Sequence, residues 1–373
     1  MILTIFVGMK LLPIYSFLFI LTLVSCFPVN SQDVESPFIQ WEKKVIDLGS
    51  VLEENGHVQT SFHFTNKTNQ PLVVEEVITE CGCTTAEYSR DTLLQNEKGK
   101  IVIDFDPQTR GGEFAKMILV KTNVEPYTDT LILEGFNVPL PATISAHYAI
   151  EKAGLGFKFD VVNLGQVFTN EPKIKHVDFF NFGEYPIQLN QIQENLPIHL
   201  KAKMIPAVVT AKTRGVLEFT YDAQAKDDLG FFDEGIKLAL LSNERKELSL
   251  KVLATVHEYF EPVTLAEKDN VPRLEIKEME IDLSRIKSNL VISRLITLEN
   301  KGGQPLHIRK ILSNCECVSL IVPKEEMKPG ERMDITVIFD PKGRRGIDHK
   351  TITIYSNDPI WPTRTLLIKS RIN

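Results

Sequence analysis

Hydrophobic and polar positions alternate in short runs along most of this chain, and the runs stop at clusters of asparagine, glycine and proline. Thr60-Ser-Phe62-His-Phe64, Val177-Asp-Phe179-Phe-Asn181 and Arg294-Leu295-Ile-Thr297-Leu298 have a period near two and are rich in β-branched and aromatic residues, which predicts half-buried strands. Ile101-Val-Ile103-Asp-Phe105 and Ile335-Thr-Val337-Ile-Phe339 read as inner strands, each closed by Asp-Pro. Further strands are expected at 117–120, 130–133, 248–252, 352–355 and 365–368. No long helical period occurs.

The runs recur. Asn66-Lys-Thr-Asn-Gln-Pro71-Leu followed by Cys81-Gly-Cys83 returns as Asn300-Lys-Gly-Gly-Gln-Pro305-Leu followed by Cys315-Glu-Cys317. The offset of 234 residues between Cys83 and Cys317 also carries Phe105-Asp-Pro107 onto Phe339-Asp-Pro341. A register held without a gap means one module used twice. A diverged middle copy has Asn181-Phe-Gly183-Glu-Tyr-Pro186 at the same turn, Asn163-Leu-Gly165 echoing Asp47-Leu-Gly49, and Leu196-Pro197 where the others carry cysteines.

Turn chemistry explains the repeated residues. The Asn66, Asn181 and Asn300 side chains can bond their own backbone two residues on, and Gly183, Gly302 and Gly303 admit positive φ. Pro71, Pro186 and Pro305 then open the next strand, where a missing N–H costs least. About seven short strands per unit of about 100 residues predict an all-β chain of three tandem immunoglobulin-like antiparallel β-sandwiches. The expected divisions are a signal segment at 1–31 and domains at 38–140, 141–260 and 270–373, with proline-marked linkers between them.

These motifs resemble the family called domain of unknown function 1573, immunoglobulin-like modules of exported bacterial proteins. The likeness rests on the strand ending in Asn-x-x-x-x-Pro-Leu, on Cys81-Gly-Cys-Thr84, and on Phe-Asp-Pro with its downstream Arg-Gly. It covers residues 38–138 and 274–373; Cys315-Glu-Cys-Val318 departs by losing the glycine and threonine. The middle unit is more similar to the wider group of Hydin and major sperm protein. The resemblance implies a fold and an exported location; the family has no assigned activity, so it adds little on mechanism.

The first 25 residues carry one lysine, Lys10, ahead of an apolar run of signal-peptide length. Leu23-Val-Ser-Cys26 resembles a bacterial lipobox, so lipid attachment at Cys26 is expected, with Phe27 in place of the aspartate associated with inner-membrane retention. The expected location is an outer-membrane lipoprotein, held by lipid rather than by a spanning helix. Cleavage after Ser31 and release into the periplasm is the alternative. The net charge of −7 and the lack of a basic stripe argue against nucleic acid.

Cys81, Cys83, Cys315 and Cys317 are the remaining thiols. An even count in an exported chain points to disulfides. Residues i and i+2 of a strand lie near the limit of disulfide reach, so a bond needs a turn, which Gly82 permits and Glu316 should hinder. Paired thiolates could instead ligate Cu(I) or exchange with a partner thiol. Zinc spacing is absent; His63 and His307 precede the pairs. Asp104 and Asp106 read as a solvated face, Glu75-Glu76 and Asp227-Asp228 as exposed charges, and Trp41 and Trp361 as packing residues or, less simply, a sugar platform. With no nucleophile elbow, metalloprotease helix or phosphate loop, the expected role is a non-catalytic envelope binding or scaffolding protein whose partner is an envelope protein or glycan. The rival is an envelope copper or thiol-redox protein.

Overall fold

The computed structural model describes residues 39–108, 110–125, 127–190 and 196–373. The signal segment 1–31 and Cys26 lie outside the described residues. Among the described residues the regular structure is strand apart from two single-turn α-helices and one 3-10 turn, and the strands form three two-sheet sandwiches in sequence order.

In domain 1, Ile39–Trp41, Val58–Asn66, Lys98–Phe105 and Thr84–Tyr88 form one four-stranded sheet, and Val45–Leu52, Thr128–Val138, Gly112–Thr122 and Val74–Thr79 form the other. Alternation places Phe62, Phe64, Ile101, Ile103 and Phe105 inward against Ile118, Val120, Leu131 and Leu133. Domain 3 repeats this plan. Its sheets centre on Ile292–Asn300 with Arg332–Phe339, and on Gly346–Ser356 with Thr363–Ile372. Domain 2 has two five-stranded sheets, built around Lys173–Asn181 with Arg214–Tyr221 and Gly230–Leu241 with Arg245–His257. The strands expected around 101–105 and 335–339 are interior to their sheets.

One pair in each sandwich departs from the antiparallel expectation. Val45–Leu52 runs parallel to Thr128–Val138, Val161–Phe168 to Arg245–His257, and Glu280–Ile286 to Thr363–Ile372. In domains 1 and 3 the first strand belongs to one sheet and the chain then crosses to the edge of the other, so it meets the last strand head to head. Each parallel pair contains a bulge, held when Asp47, Asn163 or Asp282 accepts a hydrogen bond from the N–H two residues on, at 2.7, 2.9 and 2.6 Å. Gly49 and Gly165 take positive φ there. Ser284 takes the same conformation, which hides the third copy from a reading based on glycine.

The repeated asparagines are buried turn anchors. Asn66, Asn181 and Asn300 are at most 2% exposed, and each accepts from the N–H two residues on, at 2.9, 3.0 and 3.0 Å. Each also donates to the carbonyl four residues on and to the neighbouring loop: Leu93 in domain 1, Val209 and Thr210 in domain 2, Met327 in domain 3. Gly183, Gly302 and Gly303 could take positive φ at this turn, but none does. Gly302 is required by space: a Cβ there would lie 1.9 Å from the Val271 carbonyl oxygen, where the linker into domain 3 crosses the turn.

Candidate functional site

The two Cys-x-Cys segments lie between strands rather than on them. The chain turns from Val74–Thr79 to Thr84–Tyr88 through Cys81-Gly-Cys83, and the Thr84 N–H donates to the Cys81 carbonyl at 3.2 Å. In domain 3 the Val318 N–H donates to the Cys315 carbonyl at 3.1 Å. These turns bring the paired Cα atoms to 5.3 and 5.1 Å, and both pairs are disulfides. Glycine is not required for the turn. Neither Gly82 nor Glu316 has positive φ, and a side chain at 82 would meet open space, so the expected handicap of Glu316 does not arise. Disulfide sulfurs are not the thiolates that Cu(I) ligation uses.

The Cys83 carbonyl accepts from Asp106 N–H at 2.8 Å, and the Cys317 carbonyl from Asp340 N–H at 2.8 Å. The cysteine turn and the Phe-Asp-Pro turn are thereby one structure. Phe105 and Phe339 are buried beside it, and Pro107 and Pro341 follow. The sulfur environments differ between copies. Cys81 Sγ lies 3.9 Å from the Thr84 hydroxyl, and Cys83 is buried. Cys315 Sγ accepts from Arg344 Nη2 and from the Cys317 N–H, both at 3.0 Å, while Cys317 packs on the domain core.

Asp104 and Asp106 share His57 as a partner. His57 Nδ1 lies 2.5 Å from Asp104, and its Nε2 lies 3.9 Å from Asp106. Hydrogen bonding to Asp104 raises the His57 pKa above its ordinary value, and the same bond lowers Asp104. The group is an ion pair on an open surface. Trp41 packs on Phe64 at 4.8 Å between ring centres and donates to Asp129, whereas Trp361 is largely exposed. His307 lies 4.0 Å from Glu326.

The least legible features are the joints between domains. At the first, buried Arg214 donates through Nε to the Tyr148 hydroxyl at 2.7 Å, through Nη1 to Glu54 at 2.7 Å, and through Nη2 to the Pro139 carbonyl at 2.9 Å. Tyr148 in turn donates to Asp178 at 2.6 Å; burial first, and then this bond, raise its pKa. Leu52 and Val138 of domain 1 pack on Val216 of domain 2. Beside this joint is a cleft of about 640 Å³, where Phe136 of domain 1 stacks on His176 of domain 2 at 4.3 Å. Asp47, Glu113 and Glu134 stand on one wall and Glu218 on the other. Burial lowers the His176 pKa against the pull of Glu218.

At the second joint, Arg309 bonds both oxygens of Glu258 at 2.9 and 3.0 Å, and Lys310 Nζ donates to Asp228 at 2.5 Å and to the Leu229 carbonyl at 3.0 Å. Asp228 is the exposed charge expected of it and a domain anchor as well; partial burial pushes its pKa up, but the hydrogen bond and charge of Lys310, together with the Leu229 N–H, bring it below the ordinary carboxylate range.

Residues 39–137 and 274–372 match the family described as protein of unknown function (DUF1573), together just over half of the chain. The module those residues build is an immunoglobulin-like sandwich closed by a cysteine turn. The chain belongs to that family. Among solved structures, a protein of unknown function from Porphyromonas gingivalis W83 is 17% identical, with 58% of this chain and 99% of that one covered at a TM-score of 0.42. The ASH/PapD-like domain 7 of human CEP192 is 11% identical over 31% of this chain and 92% of its own, at 0.25. The secreted serine protease VesC from Vibrio cholerae is 10% identical over 51% and 47%, at 0.26. Similarity this low carries no functional argument. Comparison with curated proteins gives no match.

Proposed function

We propose that the protein is a non-catalytic binding or scaffolding component of the cell envelope, exported and tethered through lipid on Cys26, which holds an envelope protein or glycan against its sheet edges and inter-domain surface. The observation that carries this reading is the first joint. A guanidinium 4% exposed, tied to both domains, fixes two sandwiches as one body and keeps the cleft between them in shape. A fixed spacing between modules is what a scaffold needs and what a flexible tether does not provide. The Thr84–Tyr88 strand ends its sheet, so its outer backbone is placed to pair with an added strand.

A photo-crosslinking amino acid replacing Lys203 on the cleft wall, in cells that make the native chain, tests the reading. The expected result is one discrete envelope adduct, together with loss of membrane fractionation in Cys26→Ala. Recovery of uncrosslinked protein from the cytosol would contradict it.

A further inference from the structure

The two cysteine turns share a backbone and differ in what faces the sulfur. In domain 3, Cys315 Sγ receives two N–H donors, one from a permanent cation. Such donors favour a sulfur that carries negative charge. In domain 1, Arg110 occupies the offset position of Arg344 but is exposed, and Cys81 Sγ faces a hydroxyl at 3.9 Å instead. The charged groups around Arg344 are Asp348, at 3.6 Å, and Lys350, which itself pairs with Asp348, so the acid is shared between two cations. A disulfide closing so short a loop constrains the unfolded chain little, and domain 2 builds the sandwich without one; holding the fold together is a weak reason for this bond.

We propose that Cys315–Cys317 is a thiol–disulfide exchange site, with Cys315 as the sulfur that carries the mixed disulfide and Arg344 as its positioning residue, while Cys81–Cys83 is inert. The substrate class is a dithiol. One thiolate of the donor attacks Cys315 Sγ, the Cys315–Cys317 bond breaks, and its electron pair passes to Cys317, which takes a proton from water. The donor's second thiolate then attacks the donor sulfur of the mixed disulfide. Cys315 departs as a thiolate against Arg344 and the Cys317 N–H, and the donor leaves as a disulfide, two electrons poorer. A leaving thiolate of lowered basicity leaves faster, which is the advantage that Arg344 supplies. Cys317, half-buried like Cys315, packs against the core and is the second sulfur. This inference is independent of the binding reading and stands if no envelope partner is found.

The test is to incubate the full mature chain with reduced glutathione, whose single thiol stops at the first step, quench with acid, alkylate, and map the adducts. Glutathione should appear on Cys315 at least about tenfold faster than on Cys317, Cys81 or Cys83. Arg344→Gln should leave the position of that first adduct unchanged, slow the release of Cys315 when dithiothreitol replaces glutathione, and raise the pH midpoint for iodoacetamide alkylation of Cys315 in the reduced protein, and Arg344→Lys should restore both the release rate and the midpoint. Equal labelling of the two domains, adducts on Cys317, or an alkylation profile unchanged in Arg344→Gln would each overturn the proposal. Restoration by Arg344→Lys, which requires a folded domain 3, separates lost chemistry from misfolding, and the domain 1 pair reports labelling of an unchanged site in the same molecule.

Discussion

The joint between the first and second sandwiches closes over a buried guanidinium, whereas the joint between the second and third rests on charges that water reaches. Arg214 has a side-chain exposure of 2%, against 28% for Lys310 and 42% for Arg309. The same chemistry therefore carries different weight at the two places. A buried charge whose partners are removed is left without solvent to replace them, while an exposed pair exchanges its partner for water at little cost. The first joint should behave as a weld and the second as a clasp.

The largest effect should come from breaking the weld. Arg214→Ala takes the cation from Glu54 and a donor from the Pro139 carbonyl, leaving the Tyr148 hydroxyl with Asp178 alone, and should cost about 2–4 kcal/mol in urea unfolding. An effect below about 1 kcal/mol would show that the contact does not hold the domains. Next is Gly302→Ala, whose added carbon must displace the linker at Val271. Calorimetry should show about 1–3 kcal/mol lost from domain 3, with domains 1 and 2 unaffected.

Acid should strain both joints. His176 at the first joint, and His257 at the second, whose Nδ1 lies 3.4 Å from the Thr363 hydroxyl of domain 3, have pKa values lowered from 6.5, both by burial first. The unfolded chain then binds more protons than the folded one, so stability is complete above the unfolded pKa and is lost as pH falls from about 6.5 through the folded values. His176→Gln should flatten the part of this dependence that belongs to the first joint, as followed by melting temperature between pH 7.5 and 5; an unchanged slope would remove His176 from the account. The smallest effect is expected from Lys310→Ala, about 0.5 kcal/mol and reduced further by salt.

The sandwiches were legible because their determinants are local. Asn66, Asn181 and Asn300 each bond the turn they sit in, and alternation at 101–105 already names Ile101, Ile103 and Phe105 as core. The joints were not legible, because Arg214 meets Glu54 across 160 residues and nothing in either neighbourhood marks the pair. Asp228 is exposed, as the sequence predicts, but its bond to Lys310 is not legible for the same reason, since Lys310 is 82 residues away. The parallel edge pairs depend on where the chain crosses between sheets, which a period of two does not encode. At the cysteines the spacing showed that a turn was needed but not that glutamate makes it as well as glycine, because the turn uses negative φ.

Pulsed electron resonance distances between spin labels on non-cysteine handles, one at Lys67 in domain 1 and one at Lys237 in domain 2, test the weld directly. The native chain should give one narrow distance distribution that broadens in Arg214→Ala. A native distribution already as broad as that of the variant would contradict the account.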